Sequence, residues 1–293
     1  MTRLRADLLL LLASLIWGGA FVGQSTAMAH MGPLTFTGTR FLLAALALLP
    51  FAAIERRNAR APVPLSRVPA LIAIGIAFFG GAALQQVALV KTSVTNAGFL
   101  TVLYVVMVPA IGAAFLRHKL PGAIWPAAAL SVAGTFLLGG GRMDGLNWGD
   151  GLLVLSALLW AGQIIGLSAL AADLRQPVAI ALMQFAVTAA LGLGCGFAFE
   201  TPSLDAMLIC WRELAYTGFI SGGIAFTLQS IAQTHTPPAD SAILLSLESL
   251  FAAAFGALLL GERLSPLGWM GGAMVLAAAL LVQVMPLMRF RRR

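Results

Sequence analysis

A unit of five apolar segments occurs twice in this chain, and the duplication constrains the fold more than any single residue does. Ten apolar stretches run over 7–28, 33–53, 67–89, 94–116, 120–139, 147–170, 176–198, 207–232, 237–260 and 264–287. Trp17-Gly18-Gly19 in segment one returns as Trp160-Ala161-Gly162 in segment six. Pro33, Phe41, Leu84, Gln85, Ala88, Leu120 and Trp125 return as Pro177, Phe185, Leu228, Gln229, Ala232, Leu264 and Trp269, always 143 or 144 positions on. An odd number of spans per copy turns the second copy upside down relative to the first. The boundary falls in the stretch from Gly139 to Gly145, so residues 1–141 form the first repeat and 142–293 the second.

The duplicated unit belongs in lipid. Sixty per cent of the residues are hydrophobic and ten per cent charged, with a mean hydropathy of +0.93, which excludes a soluble domain. Each stretch is long enough to cross about 30 Å of hydrocarbon at about 1.5 Å per residue. Backbone polar groups in lipid must be satisfied within the segment, so the spans are helices. The short alternating pattern of a barrel strand does not occur. The longest connection, around 54–67, is too short for a separate soluble domain. The expected fold is an all-α polytopic membrane protein, with ten transmembrane helices as 5+5 inverted repeats around a central cavity. Inverted repeats of this kind are a common plan of secondary transporters, with substrate held where the halves meet.

A net charge of +7 and a pI near 10.7 would fit a nucleic-acid binder, but the basic residues are placed otherwise. With the N-terminus inside, the inner connections and tails hold Arg3, Arg5, Arg56, Arg57, Arg60, Arg67, Arg117, Lys119, Arg175, Arg289, Arg291, Arg292 and Arg293. The other side holds Lys91, Arg142, Arg212 and Arg263. The positive-inside rule then puts both termini in the cytoplasm. The last arginines read as a stop beside anionic lipid rather than a nucleic-acid arm. The N-terminal apolar run is too long for a signal peptide and has a counterpart in segment six, so it reads as a retained span.

Pro109 removes one backbone hydrogen bond from segment four and predicts a kink there. Its repeat partner is Ala253, so the two halves need not bend alike. Gly19-x-x-x-Gly23 returns as Gly162-x-x-x-Gly166, a spacing that lets helix backbones approach closely. Cys195 and Cys210 are two small apolar residues, or a bridge if their compartment oxidises. Nucleotide, metal-ligand and redox motifs are missing, so neither an enzyme nor a cofactor is expected. Gly218-Phe219-Ile220-Ser221-Gly222 loosely resembles an intramembrane protease motif, one residue too long and far from His235.

Polar groups inside hydrocarbon are costly and mark the candidate site. Glu248 lies near the middle of segment nine, and Tyr104 is its counterpart in segment four. The two should face each other across the pseudo-twofold axis. Glu248 reads as a ligand for a substrate ammonium group or a protonatable coupling site, with a helix-packing carboxyl as the plainer alternative. Trp17 and Trp160 stand in mid-span although tryptophan prefers the interface. Each heads a helical face, Trp17 with Ala20 and Gln24, and Trp160 with Ser156 and Gln163. Their indoles offer stacking or cation–π surface to a substrate, or bulk for packing. Gln85 and Gln229 occupy equal positions in segments three and eight and suit either a zwitterion or a helix-to-helix bond. Arg40 is within snorkelling reach of the interface, and that or structural pairing is its expected role. Binding a substrate carboxylate, or pairing with Glu248, is the alternative. Asp240 reads as a first-turn residue complementing the helix dipole, with His235 beside it at the inner mouth.

Four stretches resemble a known family. They are Trp17-Gly18-Gly19-Ala20-Phe21, Pro33-x6-Arg40-Phe41, Leu103-Tyr104-Val105-Val106-Met107-Val108-Pro109, and Leu260-Gly261-Glu262-Arg263-Leu264-Ser265-Pro266-Leu267-x-Trp269. Together with the twofold ten-span plan, they are similar to the drug/metabolite transporter superfamily in its EamA-type branch. In segment nine, Leu247-Glu248-Ser249 stands where the family often has Leu-Glu-Pro, which puts a local kink there in doubt. The resemblance implies a bacterial inner-membrane exporter of small amphipathic metabolites, foremost amino acids including aromatic ones, working by alternating access. A broad exporter of drugs or lipophilic cations is the alternative. Expected substrate-binding residues are Trp17, Gln85, Tyr104, Trp160, Gln163, Gln229 and Glu248. Expected partners are a small-molecule substrate, membrane lipid and a possible second copy, with no nucleic acid. Segments one, three, four, six, eight and nine should line the cavity, and five and ten should buttress each half from outside.

Overall fold

The computed structural model describes residues 1–59, 61–91, 94–114, 122–142, 147–260 and 264–290. Arg60, the Arg117-His118-Lys119 turn, the Gly261-Glu262-Arg263 turn and the last three arginines lie outside the described residues.

Helices follow the apolar segments closely. They are α1 (Arg3–Ala27), α2 (Pro33–Asn58), α3 (Val68–Ala88), α4 in two pieces (Val94–Thr101 and Tyr104–Ala114), α5 (Ile124–Leu138), α6 (Trp148–Leu174) and α7 (Pro177–Phe199). Next comes α8, built from Leu204–Ile209, Trp211–Ala215, a π-helical stretch Tyr216–Ala225 and Phe226–Ala232. The chain closes with α9 in two pieces (Pro238–Leu245 and Leu247–Leu260) and α10 (Pro266–Phe290). Among the described residues, seven helical spans are long and apolar enough to cross a membrane, and Ile124–Leu138 and Pro266–Val282 are shorter apolar helices.

Local chemistry sets the ends. Prolines sit in the first turn of α2, α3 and α7, where a missing N–H costs nothing. Asn147 caps α6 by accepting from Gly149 N at 2.7 Å while the Asp150 carboxylate accepts from Asn147 N at 2.8 Å, a capping box. Arg175 ends α6 in the left-handed region at φ 52°, and α7 begins two residues later at Pro177.

The two repeats interlock helix by helix. The major contacts join α2 to α7, α5 to α10, α3 to α6, and α1 to both α8 and α9. Glycine permits the closest crossings. A Cβ on Gly38 would lie 2.4 Å from Leu193 N, and one on Gly192 would lie 2.7 Å from Gly38 Cα. A Cβ on Gly134 or Gly271 would likewise meet the other's carbonyl oxygen, at 2.8 and 2.4 Å. So α5 and α10 clamp to one another across the halves, rather than each bracing its own half.

The α2–α7 pair is also closed at both ends by carboxylates. Glu200, ending α7, accepts from Leu34 N and Thr35 N at 2.8 Å and from Thr35 Oγ1 at 2.6 Å. Glu55, near the end of α2, accepts from Val178 N at 3.1 Å and Ala179 N at 2.8 Å. Each helix thus supplies the anion that satisfies the orphan N–H groups of the other's first turn. The reciprocity fixes α2 and α7 as antiparallel.

Two expectations about helix shape change. Pro109 lies inside the helix Tyr104–Ala114, and α4 is interrupted earlier, at Val102-Leu103. In α9 the interruption falls at Ser246, the repeat counterpart of Val102, so the two halves break alike although Pro109 has no proline partner. Serine back-bonding accounts for the second break. Ser246 Oγ donates to Ile243 O at 2.7 Å, and Ser249 Oγ donates to Ser246 O at 2.8 Å. The repeated glycine spacing gives close contacts unevenly. A Cβ on Gly19 would lie 2.8 Å from the Tyr216 hydroxyl and one on Gly166 would lie 2.6 Å from Ile74 Cγ2, whereas Gly162 has open space beside it. Gly18 adds the close approach of α1 to α9, since a Cβ there would lie 2.5 Å from Phe251 Cβ. Cys195 and Cys210 are free thiols.

Candidate functional site

The two matched breaks position the central pair of side chains. Tyr104 and Glu248 each stand in the first turn of the half-helix that restarts after an interruption. The interruptions are short and tighten the chain rather than freeing its N–H groups: Val105 N donates to Val102 O at 2.9 Å, and Ser249 N donates to Ser246 O at 3.2 Å. Both residues are buried. The Tyr104 hydroxyl donates to Glu248 Oε1 at 3.3 Å, so the counterparts of the two repeats meet directly.

They line a cavity of about 540 Å³, its mouth included. Helices α1, α3, α4, α6, α8 and α9 all contribute to its wall, and α2 adds Arg40. One side is aromatic. Trp160 and Phe226 are stacked with centroids 5.9 Å apart, and Trp17 meets Phe226 at 4.4 Å. Behind them, outside the lining, Phe41, Phe78 and Phe185 continue the ring cluster. Rings this crowded hold each other's orientation and keep water out of the wall.

Six of the seven expected residues come together here: Trp17, Gln85, Tyr104, Trp160, Gln229 and Glu248. The indoles are fixed through their N–H groups. Trp160 Nε1 donates to Gln85 Oε1 at 3.1 Å, whereas Trp17 Nε1 donates to the Ser221 carbonyl at 3.2 Å. That carbonyl belongs to the π-helical stretch of α8, the segment that loosely resembled a protease motif. The seventh residue, Gln163, is fully buried but not part of the cavity wall, and its Nε2 donates to Gln184 Oε1 at 2.8 Å. Helical spacing placed it with Trp160, but one amide-to-amide bond to α7 absorbs its donor.

Arg40 was expected to snorkel or to pair structurally, and the structure removes the snorkelling option. Its side chain is turned inward, 5% exposed, and lines the cavity. The guanidinium lies 4.7 Å from the Phe41 ring centroid and 5.4 Å from that of Phe36. It forms no ion pair with Glu248 among the described residues. Thr101 and Gln24 also line the wall and were not singled out as substrate ligands from the sequence.

Glu248 borders a second, partly open hollow of about 950 Å³, its open mouth included. It runs past Ser25, Gly98 and Gly139, toward the end of the bundle opposite the first residues of α1. At the terminal end, polar contacts hold the helices together. Arg3 pairs with both Asp7, at 3.5 Å, and Asp240, while Thr236 Oγ1 donates to Asp7 Oδ1 at 2.8 Å. Asp240 therefore does more than complement its helix dipole, since it ties α9 to α1.

Comparison with known proteins decides the family. The model of the EamA-like transporter family matches residues 4–140 and again 147–284. The chain belongs to the EamA-like transporter family. Relatives align over nearly its whole length. An uncharacterized transporter of Archaeoglobus fulgidus is 33% identical over 284 residues, covering 96% of this chain and 87% of the relative. The uncharacterized inner membrane transporter YedA of Escherichia coli K12 is 25% identical over 276 residues, covering 92% and 87%. A solved crystal structure superposes with a TM-score of 0.79 at 19% identity, covering 97% of this chain and 98% of that one, which is a likeness of fold. The EamA membership makes the chain a multi-pass membrane transporter and not an enzyme, with two EamA units of about equal length.

Proposed function

We propose that this transporter carries small amphipathic metabolites, foremost amino acids including aromatic ones, by alternating access. The observation that carries the reading is the buried Tyr104–Glu248 pair at the wall of a central cavity whose other side is aromatic. A carboxylate at the foot of a half-helix suits a substrate ammonium group. The Trp17, Trp160 and Phe226 surface suits an apolar side chain, and Gln85 and Gln229 give directional hydrogen bonds. Sugars would ask for more polar lining, and phosphates for several basic groups at depth.

Because the two repeats interlock, the moving bodies are mixed bundles that each contain helices of both repeats, and the substrate meets one opening at a time. Here the terminal end is held by Arg3, Asp7 and Asp240, while the second hollow leads from Glu248 the other way. Both termini lie in the cytoplasm of a bacterial cell, and the inner membrane is the host bilayer. The arginines 56, 57, 67 and 175, on the same side as Arg3 by helix alternation, support that orientation. The matching relative YedA is named for that membrane.

The aromatic cluster beside Glu248 favours a second reading, a broad exporter of drugs or lipophilic cations. One experiment separates them. Purified protein in liposomes is loaded with unlabelled phenylalanine and tested for counterflow of labelled phenylalanine, with choline-like cations as competitors. Saturable counterflow that neutral amino acids inhibit supports the amino-acid carrier. Inhibition by cations alone supports the alternative, and continuous, unsaturable flux would replace both with a channel.

A further inference from the structure

Among the described residues, three polar atoms at the cavity wall have no hydrogen-bond partner: Arg40 Nε, Gln229 Oε1 and Thr101 Oγ1. All three side chains are buried. A buried polar atom left unsatisfied is costly, and a buried guanidinium without a counter-ion more so. Six further side chains, Thr39, Gln86, Gln163, Ser168, Thr188 and Gln233, also carry a buried unpartnered atom but do not line the cavity; of the nine, Arg40 is the one cation.

The internal symmetry sharpens the case for Arg40. Its counterpart in the second repeat is Gln184, which is satisfied, because Gln163 donates to it at 2.8 Å. The position equivalent to Gln163 in the first repeat is Ala20, which has no polar side chain to offer. The tryptophans break the symmetry in the same way. Trp160 uses Gln85 as acceptor, but Trp17 takes the Ser221 carbonyl instead, and the Oε1 of Gln229 stays unengaged. At these two positions the symmetry is broken: Gln184 and Gln85 are engaged, whereas their counterparts Arg40 and Gln229 each keep an unengaged polar atom at the cavity wall.

Among the described residues, no carboxylate pairs with Arg40. Glu248 is engaged by Tyr104, Asp7 by Arg3 and Thr236, and Glu200 by the first turn of α2. The rings of Phe36 and Phe41 flank the guanidinium and limit its motion and hydration. A planar fork of N–H donors fixed in this way matches a carboxylate or a phosphate, and a single guanidinium, the one cation among the described lining residues, suits the singly charged carboxylate.

We propose that Arg40 is the anion anchor of the central cavity and binds the carboxylate of the transported molecule. The substrate class is then a carboxylate-bearing amphiphile, and bare lipophilic cations are disfavoured. The inference rests on the amino-acid reading above and makes it more specific. With Glu248 at the ammonium, Arg40 supplies the second pole of a zwitterion site, and Gln229 Oε1 takes a further N–H.

Three probes separate the poles: phenylalanine, phenethylamine, which lacks the carboxylate, and 3-phenylpropionate, which lacks the ammonium. Inhibition of phenylalanine counterflow and thermal stabilisation of the detergent-solubilised protein are measured for wild type, Arg40→Gln and Arg40→Lys. In wild type, phenethylamine should act at least tenfold more weakly than phenylalanine. Arg40→Gln should raise the phenylalanine KM at least tenfold and abolish stabilisation by 3-phenylpropionate, leaving phenethylamine unchanged. Arg40→Lys should fall between, since it keeps the charge and loses the fork. It also serves if Arg40→Gln does not fold. Equal losses for all three probes, or a wild type indifferent to the carboxylate, overturn the anchor. Stabilisation by 3-phenylpropionate that depends on Arg40, without phenylalanine counterflow, keeps the anchor and rejects amino acids as cargo. Phenylalanine counterflow untouched by Arg40→Gln does the reverse.

Discussion

Tyr104 and Glu248 are the same position in two copies of one unit, 144 residues apart, and they are hydrogen bonded to each other at 3.3 Å. Each follows a helix interruption, at Val102-Leu103 and at Ser246, so the pair sits where two broken helices face one another. Duplication has produced one phenol and one carboxylate from equivalent places, and the contact between them lies on the repeat axis.

If that pair handles substrate, its two members contribute differently. Glu248→Gln should reduce phenylalanine counterflow at least tenfold, because the ammonium partner becomes neutral. Tyr104→Phe should cost less, about threefold to tenfold, because it removes one neutral donor worth roughly 1 kcal/mol. Initial rates in liposomes against phenylalanine concentration check both. Wild-type rates in Glu248→Gln would leave the carboxylate as a packing group.

The reciprocal caps should show as additive losses of stability. Glu200→Gln and Glu55→Gln each weaken charge-assisted bonds to a helix first turn, and each should cost about 0.5–2 kcal/mol. They act at opposite ends of the α2–α7 pair, so the double variant should lose close to the sum. Unfolding in mild detergent, followed by tryptophan fluorescence, gives the comparison.

At the α2–α7 crossing, size decides. Gly38→Leu would drive carbon into the α7 backbone, where even a Cβ comes within 2.4 Å of Leu193 N, so little folded protein should be recovered. Gly151→Leu, at a helix glycine with open space beside it, should be recovered at wild-type yield. Size-exclusion profiles of the two variants make the test.

The contacts of Arg3 predict a shift in conformation rather than in affinity. Asp240→Asn should loosen the terminal end. A cysteine placed at buried Leu244, in a background without Cys195 and Cys210, should then react several-fold faster with a polar thiol reagent applied from that end. Arg3→Gln should do the same. An unchanged labelling rate would reduce these contacts to surface pairs of little consequence.

Much of this architecture could be read in the residues. The ten segments and their pairing followed from hydropathy and from the return of Trp17 as Trp160 and Gln85 as Gln229. Lipid demands long apolar helices, and duplication leaves a register. The meeting of Tyr104 with Glu248 also followed, since symmetry brings equivalent mid-span positions together. What escaped was fixed by contacts that have no periodicity. Pro109 drew attention as a helix breaker, yet the interruptions come at Val102 and Ser246, set in α9 by serine hydroxyls bonding back to the chain. Arg40 lies within snorkelling reach along its own helix, and only the packing of α2 against α7 and α8 reveals that it turns inward. Glu55 and Glu200 were not singled out from the sequence. A carboxylate near the end of each equivalent helix, with Pro33 and Pro177 opening both, was the available signal.

The crossed carboxylate caps bear on how such a chain can arise. A lone five-helix ancestor would leave the first turn of its second helix without an anion, because that anion comes from a twin inserted the other way up. Such an ancestor had reason to assemble as an antiparallel twofold pair before fusion, and fusion made the two orientations obligatory. Once joined, neither copy can mutate its Glu55 or Glu200 position without unsettling its sibling, so drift in one half is policed by the other.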